Sequence, residues 1–309
     1  MTRPPSVHDM AHTAHLGDTF TRQAALAAGI TAAQLRSHVV TRVFRGVYTL
    51  GDATSLGIRA TAALTLTHPK ALVCETTGLA LLGVALPGAT LAEAVHVWVP
   101  TGVAGPAMAG IQVHWGRLRG SPKTVARGLR TVAPAECWLQ AARRLSVQDL
   151  VILADGLMRR QDPILFADDL RAAVSRAAGR RGIRRARTAL ELAREGTDSP
   201  METVIRLALV DAGLPCPEVN HPLLGTRGTP VNWLDMAYPD AMVAVEYDGA
   251  GHAATAAQVR RDQTRRRSIE DRGWRLITAT ADDLANLGGL VASVRRALDH
   301  RSVRPHDAG

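Results

Sequence analysis

The chain has 309 residues, 46% of them hydrophobic and only 4% aromatic, so it can fill two or three domain cores, built mainly from Ala, Leu and Val. Lys+Arg 37 against Asp+Glu 28 gives a net charge of +9 with an uneven distribution: residues 1–196 hold 24 basic and 13 acidic side chains, residues 197–309 hold 13 and 15. Cys74, Cys137 and Cys216 form no CxxC pair, so neither a zinc site nor a disulfide framework is indicated, and the most apolar run, Leu79 to Leu86, is too short to span a bilayer.

A cytoplasmic protein with buried reduced thiols and no membrane partner is therefore expected. Met1 to Asp18 lacks the apolar core of a signal peptide. The basic front suits a polyanion such as DNA. All basic residues but Lys70 and Lys123 are arginine, which together with abundant alanine also fits the coding bias of a GC-rich genome.

Residues 19–50 read as helix, turn, helix and hairpin. Thr21 caps a helix over Arg22 to Ala28 that stops at Gly29, and Thr31 caps a second over Ala32 to Val40, with Leu35 and Val39 facing inward. Arg42 to Leu50 alternates around Gly46 as a β-wing. Gln34, Arg36, Ser37 and His38 then fall on the exposed side of the second helix and Arg42 and Arg45 on the wing, placed for DNA phosphates. The alternative is a small module that packs on its neighbour or binds protein.

The stretch Phe44-Arg-Gly-Val-Tyr48 resembles the winged-helix N-terminus of type IV abortive-infection antitoxins. The likeness continues through His68-Pro-Lys-Ala-Leu-Val73, a helix over Thr77 to Gly83, and Val95-His-Val-Trp-Val-Pro100. It implies a transcriptional or antitoxin heritage, with a cognate toxin as a partner. Residues 53–196 read as a mixed α/β middle domain: strands at Val95 to Val99 and Ile111 to Trp115, then helices near 134–145, 147–158, 164–178 and 181–195. Glu75, His96 and His114 are isolated polar residues in apolar settings and read as hydrogen-bonded structural groups. The arginines between Arg176 and Arg187 read equally as a nucleic-acid track and as a solvated helical face.

Glu195 to Ser199 is the linker candidate. Ser199-Pro-Met-Glu202 is a capped helix start with Glu202 at the capping-box position, and Gly213 ends that helix. Strands come next at Val231 to Met236, carrying Asp235, and at Met242 to Tyr247. On the second, Glu246 and Asp248 point to one face, roughly 7 Å apart. Gly249 and Gly251 turn the chain so that His252 returns beside the strand end. Two carboxylates and an imidazole are costly to bury without a cation or a partner, which points to a metal-assisted site. Thr255 caps a helix running to Arg272, Gly273 stops it, and Trp274 to Thr278 is the last strand.

This α-β-β-α-β order resembles the PD-(D/E)XK, or restriction-endonuclease-like, fold, and more closely its very-short-patch-repair branch. The matching pieces are Asp235, Glu246-Tyr-Asp-Gly-Ala-Gly-His252, Arg261-Asp262 and Gly273-Trp-Arg-Leu276. A lysine usual in that superfamily is replaced by Asp248, and no lysine occurs after Lys123. The resemblance implies a Mg²⁺- or Mn²⁺-dependent DNA endonuclease. Asp235 and Glu246 hold the ion, Asp248 is a third ligand or positions water, and His252 activates water. Arg260 or Arg261 reaches the phosphate, and Glu202 approaches the cluster from its helix. The expected architecture is multi-domain mixed α/β: a winged helix over 1–52, an antitoxin-like middle domain over 53–196 and an endonuclease-like domain over 197–309. The competing expectation is a non-catalytic regulator or antitoxin with a degenerate nuclease-like domain.

Overall fold

The computed structural model describes residues 7, 16–88, 94–117, 119–125, 128–225, 227–249 and 256–302. Twelve strands are described, in three sheets. The chain divides into two compact units, residues 1–144 with 176–183, and residues 145–175 with 184–309. The helices between 145 and 196 thus fall mostly with the C-terminal elements, whereas the sequence reading groups them with the middle domain.

In the first unit, β1 (Thr19–Thr21), β2 (Thr41–Phe44) and β3 (Val47–Thr49) form a sheet of order β1-β3-β2. Helix α1 (Arg22–Ala27) lies where expected: Thr21 Oγ1 accepts from Ala24 N at 3.0 Å, and Gly29 takes φ +85° beyond its end. The expected second helix over 32–40 is instead a single 3₁₀ turn, Gln34–Arg36. Local capping closes the turn at both ends. Thr31 and Gln34 cap each other's backbone N–H, and Ser37 Oγ donates to Gln34 O at 2.7 Å. Leu35 is buried as expected, but Val39 is exposed.

The wing does not stand alone. Phe44 and Val47 enter a core with Ala60 and Ala63 of α2 (Leu56–Thr65) and with Val73, Val95, Val97 and Val113 of a second sheet. Five strands make that sheet: β4 (Leu72–Val73), β5 (Val95–Pro100), β6 (Ile111–Gly116), β7 (Lys123–Thr124) and β8 (Arg130–Thr131), in order β6-β5-β4-β8-β7. Helix α3 (Glu75–Leu81) packs on α4 (Pro134–Ala141), and a Cβ at Gly78 would come within 2.8 Å of Cys137 Sγ. Residues 176–183 return to this unit. There Arg180 grips Glu136 with both terminal nitrogens, and Gly182 (φ +87°) sits against the Ala142 carbonyl where no Cβ fits.

The second unit opens with α5 (Val147–Leu157), α6 (Ala167–Arg176) and α7 (Ile183–Leu192), followed by α8 (Pro200–Asp211). Buried Asp155 ties these helices together. Its carboxylate accepts from Arg206 Nη2 at 2.6 Å, Thr203 Oγ1 at 2.8 Å and the Arg194 amide at 2.7 Å, while Arg206 Nη1 donates to Leu192 O. A third sheet, order β12-β11-β10-β9, comprises β9 (Glu218–Leu224), β10 (Pro230–Tyr238), β11 (Val243–Asp248) and β12 (Arg275–Thr280). β9–β10–β11 are antiparallel and β11–β12 parallel, the crossover being α9 (Ala256–Glu270). Ile205 and Leu209 of α8 and Leu290 and Val294 of the C-terminal helix α11 (Leu287–Ser302) pack with Val243 and Val245. Ile269 of α9 packs with Ala244, Leu234 and Trp274. Between α9 and α11 lies the short α10 (Ala281–Ala285). The observed order is therefore α-β-β-β-α-β, one strand more than expected. Among the described residues no helix is long and apolar enough to cross a membrane.

Candidate functional site

The carboxylates singled out in the sequence come from α8, β10 and β11 of the second unit. Ser199 caps α8 through its Oγ and the Glu202 amide at 3.3 Å, and the Glu202 carboxylate turns back to accept from Asp198 N at 3.1 Å. Glu202 nevertheless reaches the cluster electrostatically. It is 7% exposed, and its pKa is pushed up to about 7, first by burial and then by the negative charge of Asp235. Pairing of β10 with β11 runs Tyr238↔Val243, Ala237↔Ala244 and Met236↔Val245. One residue further on, Asp235 bonds the neighbouring strand through its side chain, with Oδ2 accepting from Tyr247 N at 3.0 Å. Its pKa is pushed up to about 6, first by burial, which outweighs the Tyr247 amide, with a further rise from Glu246.

Glu246 is 8% exposed and lies on the α9 face of the sheet, as does Ala244. Arg265 of α9 takes both of its oxygens, Nη1 to Oε2 at 2.5 Å and Nη2 to Oε1 at 2.6 Å, and Nη2 also donates to Trp233 O at 2.7 Å. The sequence reading chose Arg260 or Arg261, one turn earlier; both are exposed and line a cleft of about 630 Å³ with Val231, Asn232, Thr264, Arg265 and Ser268. Asp198 was also missed. It contributes negative charge to Glu202 and Asp235 and is held by Arg160, which donates to it from Nε at 2.9 Å and Nη2 at 2.7 Å while standing over the Trp233 ring.

Four carboxylates thus share a neighbourhood with two guanidiniums. Burial, with the neighbouring negative charges adding to it, is why Asp235 and Glu202 hold protons to unusually high pH. An all-oxygen donor set with two charges unbalanced fits a hard divalent cation of the Mg²⁺ or Mn²⁺ class. Asp248 stands exposed at the end of β11, opposite Thr280, and His252 lies outside the described residues. Among the described residues, these acids do not bring three ligand atoms within 4.8 Å of one another. Glu75, His96 and His114 of the first unit do.

At the front of the chain Arg36, Arg42 and Arg45 are exposed, the last at the tip of the β2–β3 hairpin, while the Gln34 amide oxygen caps Thr31.

Mixed α/β architecture with three sheets is the class this chain defines. No family model matches it. The uncharacterized proteins Rv2248 and MT2308 of Mycobacterium tuberculosis (strains H37Rv and CDC 1551) are each 32% identical to it over 268 residues, covering 86% of this chain and 95% of theirs. The chain belongs to their family. The crystal structure of the RV2827C protein from Mycobacterium tuberculosis is similar over 62% of this chain and 78% of that one, at 17% identity and a TM-score of 0.41.

Proposed function

We propose that the protein binds DNA and that residues 197–309, which lie in its second unit, form a divalent-metal-dependent endonuclease hydrolysing DNA phosphodiesters. On this reading residues 1–52 act as a winged helix, 53–196 as an antitoxin-like middle domain and 197–309 as an endonuclease domain of PD-(D/E)XK type. The observation that carries it is the approach of Asp235 on β10 to β11 next to Glu246, which Arg265 links to an arginine-lined cleft. Asp235, Glu246 and Asp248 would hold the ion, whose chemistry is Lewis-acid polarisation of a phosphoryl oxygen. Bringing the carboxylates onto one ion asks for side-chain rotation, and the ion's charge would favour ionised Asp235 and Glu202.

The remaining work falls to the chain's own groups. Arg260, Arg261 and Arg265 face a phosphate and offset the charge that grows on it. His252 takes the proton from the attacking water. Arg265 also orients Glu246 through hydrogen bonds to both of its oxygens. A Mg²⁺/Mn²⁺ cleavage assay on single-stranded, duplex and mismatched DNA tests the reading. Wild type should cut at least one substrate and Asp235→Ala none; cleavage unchanged in Asp235→Ala would refute it.

One observation favours a second reading. Because Arg265 occupies both oxygens of Glu246, the chain supplies its own cation at that acid. A regulator or type IV antitoxin with a degenerate nuclease-like domain would keep this ion pair and bind no metal there.

A further inference from the structure

Parallel pairing of β5 with β6 sets His96 opposite Gln112 and Trp98 opposite His114, so the two histidines share a sheet face as diagonal neighbours. Their rings stack with centroids 5.1 Å apart. Cys74 N donates to His96 O at 3.0 Å, which brings Glu75 alongside. Glu75 is 1% exposed and takes a left-handed backbone, φ +53°, a costly conformation for a buried glutamate and one that concentrates at functional sites. His96 Nδ1 lies 2.8 Å from His114 Nε2 and 3.1 Å from Glu75 Oε2. In a tetrahedral site with bonds of about 2.0–2.1 Å, neighbouring ligand atoms stand roughly 3.3 Å apart. Two edges of such a site are therefore already near length.

We propose that Glu75, His96 and His114 bind one divalent ion of the Zn²⁺ class, with the ion's open position facing the cleft beside them. Two imidazoles and one carboxylate form a borderline donor set that suits zinc better than magnesium. Three protein ligands leave a fourth position free, as in catalytic rather than structural zinc sites. The cleft, about 820 Å³, is lined by Gln112, Trp115, Arg143, Arg144 and Arg181 together with the trio. With an ion added to three arginines, its open position suits an anionic ligand.

Arg144 Nη2 donates to Glu75 Oε2 at 2.6 Å and lies 3.3 Å from His96 Nε2. Ligation through His96 Nδ1 puts the ring hydrogen on Nε2. Arg144 then gives up its contact with His96 and keeps Glu75, orienting the carboxylate from behind the ion.

Cobalt titration of the full-length protein tests this. In wild type one equivalent of the bound Co²⁺ should show the intense visible bands of tetrahedral coordination, displaced by Zn²⁺. Those bands should persist in Asp235→Ala, which separates this site from the acidic one. His114→Ala and Glu75→Gln should weaken uptake on the order of 100-fold. His114→Cys, which restores a ligand, should bind and add a thiolate charge-transfer band, guarding against loss through misfolding. Absence of tetrahedral bands in wild type, their loss in Asp235→Ala, or a His114→Cys protein without the thiolate band would overturn the assignment and leave a hydrogen-bonded cluster only.

Discussion

Replacing Arg265 by methionine keeps the aliphatic stem and removes the charge. Glu246, 8% exposed, would lose two charge-assisted hydrogen bonds and remain beside Asp235. Breaking a fully buried ion pair costs about 3–5 kcal/mol. The Arg265 side chain is 36% exposed, so solvent screens part of the interaction, and about 2 kcal/mol is the reasoned loss. Urea denaturation at pH 8 in EDTA measures it, with Arg266→Met as the control, because the Arg266–Glu270 pair is exposed on both sides and should cost under about 0.5 kcal/mol. Equal losses for the two variants at pH 8 would refute the claim that Arg265 is the counter-charge of the acidic site.

The same geometry sets other outcomes. Asp235 and Glu202 titrate near 6 and 7 in the folded chain, above the ordinary 3.8 and 4.5, so they stabilise the metal-free fold most below about pH 4 and that contribution is lost as pH rises through 7. Each raised value corresponds to about 3 kcal/mol, with coupling making the pair less than additive. Melting curves in EDTA should flatten between pH 4 and 7 in Asp235→Asn/Glu202→Gln. Asp155→Ala should destabilise the second unit by about 3–5 kcal/mol in chemical denaturation, because it strands buried Arg206. For the front of the chain, gel shifts with duplex DNA should weaken steeply with salt. Charge removal at Arg36, Arg42 and Arg45 should shallow that slope by about 3, and an unchanged slope would favour a protein-binding module.

What could be read from the sequence was mostly local. Thr21 and Ser199 cap their helices and Gly29, Gly213 and Gly273 end theirs, because capping and positive φ are decided within a few residues. The Glu246 strand stood out through Val243 and Val245. β9 was hidden because His221 and Pro222 interrupt its alternation, and it is an edge strand, where proline is tolerated. The second front helix failed because Ser37 closes its first turn and Val39 and Val40 favour extended chain. Arg265 could not be told from Arg261 on a helix rich in arginine, since the choice depends on how α9 rotates against the sheet. Glu75, His96 and His114 are far apart in sequence, and only strand pairing unites them.

Calorimetric titration of Mn²⁺ into wild type, Asp235→Ala and His252→Ala, alongside cleavage, tests the central claim most directly. The account predicts that wild type binds and cuts. Asp235→Ala should lose both properties, because it lacks a first-contact oxygen. His252→Ala should keep its Mn²⁺ affinity yet cut nothing, because it lacks only a proton acceptor. Wild-type protein whose Mn²⁺ binding is indifferent to Asp235, and which cuts no DNA, would contradict the account and support the regulator.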